Sequence, residues 1–333
     1  MFTESAAAAR VADTDLGATA VVVTYNSAAY LADCINALQD SGLAVRVVDN
    51  ASTDGTPALI ASRFPDVLLT VNDINVGFAA AVNQALTDVG TDVALLVNPD
   101  CVLAPGTADA LVRTLRERPE VGVVGPRLVG ADGTVRGSAN TFESFLSVVA
   151  GKFGGRLLPI RLRRLVCVGR RRRTYALCLQ GPSAPVSVDW LCGACLAVRT
   201  SLLGKLGGLD PGYFMYYEDE DLCLRVWRTG SRVLYLPAVE AMHVGGASSG
   251  DNPWSVLPYL YQSMLRFFVL HRRRTYPLLR GAILIRAVLG MSAAAFRSLR
   301  PSGDGRARAH AWTQIARIAL TTQSSGRETA CTS

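Results

Sequence analysis

The 333-residue chain has no run of 18 uncharged apolar residues; the nearest, Gly281 to Phe296, is broken by Arg286. That falls short of a membrane span and leaves a core helix or one lying in a membrane interface. The opening has no basic stretch followed by a long apolar one, so no secretory signal is expected. Residues 1–17, rich in Ala, Ser, Thr and Asp without a period, read as a disordered tail, and residues 323–333 likewise. Aromatics are scarce at 7% and charged residues reach only 18%, while half of the chain is hydrophobic. This composition excludes a disordered polypeptide and supplies core for one large domain or two medium ones.

The eight cysteines are scattered. Cys34, Cys101 and Cys223 lie inside apolar-patterned segments, as reduced, buried thiols of the cytosol do. Cys192 and Cys195 have the spacing of zinc ligands, but no second Cys or His pair follows, which favours core packing. Acid is missing from Arg156 to Arg173, a stretch with eight arginines, and Arg272, Arg273 and Arg274 form a second basic cluster within a net charge of +7. Such an excess suits nucleic acid, anionic lipid or phosphorylated substrates, and a solvated arginine-rich loop accounts for it equally well. The patches lack the interleaved aromatics of base stacking, so no nucleic-acid partner is expected.

What is present is an alternation of strand and helix signals. Ala20 to Thr24, Val45 to Asp49, Val67 to Leu69 and Val93 to Val97 are short apolar, β-branched runs, and a further strand begins at Val121. Between them Ala28 to Leu38, Thr56 to Arg63, Phe78 to Val89 and Thr107 to Arg118 have helical spacing. The pattern predicts an α/β fold with a mainly parallel sheet flanked by helices. Residues 142–185 read as an irregular, basic insertion. Strands are expected over Val186 to Leu191, Cys195 to Val198 and Val233 to Leu236. Helices are expected over Glu220 to Arg228, Trp254 to His271, Leu278 to Leu299 and, more weakly, Ala309 to Leu320. The expected organisation is a catalytic domain over residues 18–250 and C-terminal helices over 251–322.

Parallel sheets of this kind bind ligands beyond the carboxyl ends of their strands. The polar residues there are Thr24-Tyr25-Asn26, Asp49-Asn50, Asn72 to Asn75 and Asn98-Pro99-Asp100, all directed at one crevice. Asp49 can accept the imide N–H of a uracil or thymine ring; a plain strand-to-helix turn explains the surrounding Ser, Thr, Asp and Gly equally. Asp100 can hold Mg²⁺ or Mn²⁺ together with diphosphate oxygens. Four consecutive acids, Glu218 to Asp221, follow an aromatic run. Glu220 and Asp221 suit an acidic helix start, and Asp219 is the better general base. His243, after a strand, can be a metal ligand or simply structural. An oxidoreductase is set aside because the turn Thr24-Tyr25-Asn26-Ser27-Ala28 has no glycine.

In order and spacing these pieces resemble the family 2 glycosyltransferases of GT-A fold. The matching stretches are Val22 to Asn26, Asp49 to Thr56, Asn75 to Ala79 with Asn83, Asn98 to Asp100, Trp190 to Ala194, Gly207 to Asp210, Phe214 to Arg225 and His243, roughly Ala18 to Gly250. Asn98-Pro99-Asp100 and the Tyr216 to Arg225 string most resemble bacterial rhamnosyltransferases.

The resemblance implies an inverting transferase, with Asp219 as base and Asp100 and His243 as ligands of Mg²⁺ or Mn²⁺. Thr24, Tyr25, Asn26, Asp49, Asn50, Asn75, Gly77 and Asn98 are then donor-binding residues. Arg225 is a partner for the donor diphosphate or for the acidic run. Where the family often has Asp-x-Asp, Asn98 stands first and brings no charge. The implied donor is dTDP-rhamnose, or a UDP-sugar in a related transferase, and the acceptor a polyprenyl-diphosphate-linked glycan of cell-wall or polysaccharide synthesis. A nucleotide-binding protein without transfer activity is the alternative from another class. The basic clusters and apolar C-terminal segments suggest a cytoplasmic enzyme held peripherally at an anionic inner membrane face.

Overall fold

The computed structural model describes residues 16–87, 89–152, 184–245, 253–298 and 305–322. Both tails beyond residues 16 and 322, and the arginine-rich stretch from Arg156 to Arg173, lie outside the described residues. The chain forms two compact units. The described residues of the first fall within 1–141, 174–211 and 219–248, and those of the second within 142–173, 212–218 and 249–333.

The first unit is built on β1 (Ala18–Thr24), β2 (Ala44–Asp49), β3 (Leu68–Val71), β4 (Val93–Val97), β5 (Cys101–Leu103), β6 (Val121–Val129), β8 (Val186–Ser187), β10 (Cys195–Arg199) and β11 (Arg232–His243). A separate two-stranded ribbon joins β7 (Ala139–Asn140) to β9 (Trp190–Leu191). The main sheet runs β3-β2-β1-β4-β10-β6-β11-β5, with β8 on β11. β3, β2, β1 and β4 are parallel, β10 opposes β4 and β6, and β11 lies parallel to β6. Every residue of β1 and β4 is buried, because helices cover both faces; this is why those strands read as unbroken apolar runs rather than alternating ones.

The helices are α1 (Leu31–Asp40), α2 (Thr56–Arg63), α3 (Phe78–Leu86), α4 (Thr107–Glu117), α6 (Thr200–Leu206) and α7 (Glu218–Arg228), with α5 (Phe145–Lys152) in the second unit. Leu31, Ile35 and Leu38 of α1 and Leu111 and Leu115 of α4 sit fully buried in the core against Val22, Leu95 and Val97. Burying each such leucine contributes about 2 kcal/mol. Pro57 opens α2, where its missing N–H costs nothing.

Several readings of the sequence change. The strand expected over Val186 to Leu191 is two short strands, β8 in the main sheet and β9 in the ribbon. The stretch expected to be irregular from residue 142 begins with the helix α5, whose Phe145 to Ala150 run is uncharged. The strand expected over Val233 to Leu236 continues to His243, through a register shift between Leu236 and Glu240. Pro237 lies in that shift and cannot donate to the ladder.

The second unit adds α8 (Pro253–His271), α9 (Tyr276–Ser298) and α10 (Gly305–Thr321). Arg286, the residue that interrupts the apolar run, donates to the Tyr261 hydroxyl at 2.8 Å and lies over the Trp312 ring at 5.5 Å. The charge is thus used to pin three helices together. The apolar stretch is longer than the sequence suggested. Tyr276–Ala295 has a mean hydropathy of 1.6, enough to cross a membrane by length and composition, yet only 22% of it is buried. Leu278, Ile285, Val288 and Leu289 are exposed along it.

Candidate active site

The register brings the sequence-predicted residues to one edge. Thr24 lies opposite Asp49 on adjacent strands, and Val22 opposite Val97, so the carboxyl ends of β2, β1 and β4 are aligned. Two strand spacings, about 10 Å, separate the β2 end from the β4 end.

At the β2 end, Asp49 has no exposed surface. Its Oδ1 accepts from the Thr24 hydroxyl at 2.8 Å and the Ser52 hydroxyl at 2.6 Å, and its Oδ2 accepts from the Ser52 N–H at 2.8 Å. The carboxylate therefore organises two loops. Asn26 completes the junction: its N–H donates to Ser52 Oγ and its Oδ1 accepts from Thr53 N–H, both at 2.8 Å. Asp54 adds a third tie, accepting from Ala28 N–H and from the N–H and hydroxyl of Thr56. Burial alone would raise the Asp54 carboxyl, but these hydrogen bonds outweigh it and hold the group below its ordinary value. Asn26 and Ala51 both adopt left-handed backbone, a strain that clusters at functional turns. Tyr25 and Asn26 are exposed here.

Asn50 is buried and donates to the Gly77 carbonyl at 3.3 Å, while its Oδ1 accepts from Asn72 at 2.9 Å. Asn75 Oδ1 accepts the Gly77 N–H at 2.9 Å. Gly77 has φ 86° and ψ 166°, a conformation only glycine adopts without strain. These contacts tie the end of β2 to the start of α3. Asn83, one turn into α3, holds both the N–H and the carbonyl of Leu209, at 2.8 and 2.7 Å. That amide pair fixes the Gly207-Gly208-Leu209-Asp210 loop.

At the β4 end, Asp100 and His243 meet. His243 pairs with Cys101 across β11 and β5, which brings its Nε2 within 3.3 Å of Asp100 Oδ1. Asp100 Oδ2 accepts the Gly245 N–H at 3.1 Å. Burial pushes the Asp100 carboxyl up, but the His243 hydrogen bond and charge and the Gly245 N–H hold it below its ordinary value. Among the described residues no group of three or more His, Cys, Asp or Glu could hold a metal; the carboxylate and imidazole that meet here are a pair. The Asn98 side chain is half-buried and makes no hydrogen bond among the described residues. Its N–H donates to Ala194 O at 2.9 Å, which ties the β4 end to the start of β10. Cys34, Cys101 and Cys195 lie together beneath this corner as buried, free thiols, in keeping with the packing role the sequence suggested.

Gly193 connects this corner to the acidic run. Its N–H donates to Asp219 Oδ2 at 2.9 Å, and the Glu220 N–H donates to Oδ1 at 2.8 Å. Of the last three acids, Glu220 and Asp221 are buried at 2% and 1% exposure while Asp219 remains partly open. Tyr216 and Tyr217 both adopt left-handed backbone just before it. Asp221 is taken by Arg225, whose Nε donates to it at 2.6 Å and whose Nη1 donates to the carbonyls of Leu206 and Gly208. Of the two partners considered for Arg225, the structure pairs it with the acidic run. Sequence reasoning did not single out the Gly193 N–H as the group that aims Asp219; the glycine within Cys192-Gly193-Ala194 was the available signal.

A mixed sheet with a parallel block flanked by helices, its polar strand ends along one edge, is a GT-A fold. The mannosyltransferase PcManGT from Pyrobaculum calidifontis, solved in complex with GDP-Man and Mn²⁺, has a similar fold, with a TM-score of 0.52, 19% identity and coverage of 91% of this chain and 86% of that one. Residues 19–175 match the description Glycosyl transferase family 2. The N-acetylglucosaminyl-diphospho-decaprenol L-rhamnosyltransferase of Mycobacterium tuberculosis is 32% identical over 299 residues, 84% of this chain and 94% of the relative. Rhamnosyltransferase WbbL of Escherichia coli is 50% identical over 56 residues, 17% of this chain and 21% of WbbL. The chain belongs to glycosyl transferase family 2 and is a glycosyltransferase.

Proposed function

We propose that this transferase moves L-rhamnose, with inversion, from dTDP-rhamnose onto a hydroxyl of a polyprenyl-diphosphate-linked saccharide. The similarity to the mycobacterial L-rhamnosyltransferase over 94% of its length supports the sugar and the acceptor class, and the dTDP carrier follows from the resemblance to rhamnosyltransferases. At 84% of this chain, the alignment is too long to stay within the sheet-bearing unit and must reach into the C-terminal helices.

In this reading Asp219 takes the proton of the attacking acceptor hydroxyl. Both of its oxygens are held by backbone N–H groups, which supports it as an aimed base: such donors cannot rotate away as hydroxyls can. Tyr25 and Asn26 line the nucleoside side. An imide N–H of the base would replace the Ser52 hydroxyl on Asp49 Oδ1. Asp100 and His243 suit a divalent ion such as Mg²⁺ or Mn²⁺, whose remaining positions water and diphosphate oxygens fill; the Asn98 carbonyl oxygen is a third donor. When bound, such an ion neutralises charge on the leaving diphosphate. Mn²⁺ in the mannosyltransferase of similar fold supports the same choice.

The exposed apolar residues of α9 and the arginine excess of the C-terminal helices support a peripheral position on an anionic membrane surface. The deciding experiment is a donor screen read by nucleotide release, with dTDP-rhamnose against UDP-sugars. Preference for dTDP-rhamnose supports the reading; preference for a UDP-sugar makes the chain another family 2 transferase. Release from none of them, with nucleotide still bound, leaves a binding protein.

A further inference from the structure

A cleft of about 530 Å³ opens in the second unit between α8 and α10 and contains none of the residues discussed above as catalytic or donor-binding. Its volume lies in the range of small-molecule sites, about 300–1,000 Å³. Trp254, Pro258, Tyr259 and Ile318 give it an apolar wall. Gln262, His310, Gln314 and Arg317 complete its lining with polar side chains. Among the described residues none of these four side chains has a hydrogen-bond or ion-pair partner. Arg308 is also at hand, held over the Trp254 ring at 4.5 Å. Residues 253–298 and 305–322 contain ten arginines and no aspartate or glutamate. Within these helix ranges the charged side chains are therefore all of one sign.

An apolar wall facing uncommitted donors, with an arginine and no acid in its lining, suits an amphiphile with a hydrocarbon body and an anionic head. We infer that this cleft binds the diphosphate and first isoprene units of a polyprenyl diphosphate, the lipid end of the acceptor. The carbons lie against Trp254, Pro258, Tyr259 and Ile318, and the diphosphate accepts from Arg317, His310 and the two glutamine amides. The identity of the ligand rests on the transferase reading above; the cleft's preference for an isoprenoid anion is tested without it.

The test is isothermal titration of the full chain with geranylgeranyl diphosphate, geranylgeraniol and inorganic diphosphate. The expected result is that geranylgeranyl diphosphate binds at least about tenfold more tightly than either half-ligand, since each lacks one of the two kinds of contact. His310→Ala with Arg317→Ala should weaken it by about tenfold while leaving nucleotide binding unchanged. Both residues are exposed, so the fold should tolerate the change. Gln314→Glu, which places a like charge on the cleft wall, is the second variant and should weaken binding similarly. Equal binding of inorganic diphosphate means an adventitious anion site and overturns the inference. So does equal binding of geranylgeraniol, or variants that bind like the parent. Lipid binding lost in a chain that still transfers sugar overturns the cleft assignment alone. Lipid binding kept in a chain served by no nucleotide-sugar overturns the transferase reading alone.

Discussion

Asp219 is held by Gly193: the backbone N–H of the glycine reaches Asp219 Oδ2 at 2.9 Å, and a methyl group on Gly193 would stand 3.3 Å from the Asp219 Cβ. A side chain there must push the carboxylate aside or move the strand end. Asp219→Asn should lower transfer by about 10²–10⁴-fold with donor affinity kept, because the amide cannot take the proton. Gly193→Ala should lower kcat less, again with the donor KM unchanged. Wild-type turnover in Asp219→Asn would remove Asp219 from the role of base.

Asp100 and His243 should act as one unit towards a divalent ion. Each single alanine variant should need more Mn²⁺ for half-maximal donor binding. The double variant should be little worse than the Asp100→Ala variant, since residues in direct contact are not additive. Chelation with EDTA should weaken donor binding in the parent and change it little in the double variant. Independent, additive losses would argue that the two side chains serve different ends.

The Asp49 junction should separate nucleotide affinity from chemistry. Asp49→Asn should weaken nucleotide binding while leaving kcat at saturating donor near the parent value. It should also cost stability, about 1–3 kcal/mol, because the Thr24 and Ser52 donors lose a charged acceptor in a buried site. Ser52→Ala frees Asp49 Oδ1 and should leave nucleotide affinity equal or higher. Calorimetric titration with dTDP and UDP reads both; a weaker Ser52→Ala variant contradicts the exchange of partners at Oδ1.

Away from the active site, Arg116 clamps Asp92 in two hydrogen bonds, at 3.0 and 2.8 Å, and holds the Gly17 carbonyl before β1. The Arg116 hydrogen bond, opposed by slight burial, keeps the Asp92 carboxyl below its ordinary value. A depressed carboxyl stabilises the fold above its unfolded value, near pH 4, and the contribution fades as pH falls below that point. Both side chains are more than a third exposed, so Asp92→Asn should cost less than about 1 kcal/mol at neutral pH. The difference between variant and parent in thermal midpoint should shrink at high salt and at pH 3.

Membrane association should depend on α9. Ile285→Asp with Leu289→Asp, both on its exposed face, should abolish flotation with anionic liposomes. Salt should weaken flotation of the parent, because the arginines contribute electrostatically. Absence of the parent from the liposome fraction at both low and high salt would remove the membrane position.

Much of this was legible in the sequence because period and turn chemistry act locally. The four parallel strands, the α2 boundaries Thr56–Arg63 and the polar strand ends follow from apolar runs and from where Asp, Asn and Gly interrupt them. The irregular start expected at residue 142 was a helix, since an uncharged run without a strong helical period signals its state only weakly. The length of β11 was missed because Pro237 and Glu240 look like a strand's end, and only pairing with β6 carries the ladder past them.

The sequence by itself determined which residues stand at strand ends, and so which could carry chemistry, because side-chain pattern dictates the elements. The tertiary structure alone decided who meets whom. His243 lies 143 positions from Asp100 in number (243 − 100) and reaches it through the antiparallel pairing of β11 with β5. Gly193 finds Asp219 at the turn into β10, and Arg225 bonds Asp221 and two carbonyls through Nε and Nη1. Such contacts depend on strand order and register, which are global outcomes of packing the whole sheet, and no local stretch encodes them.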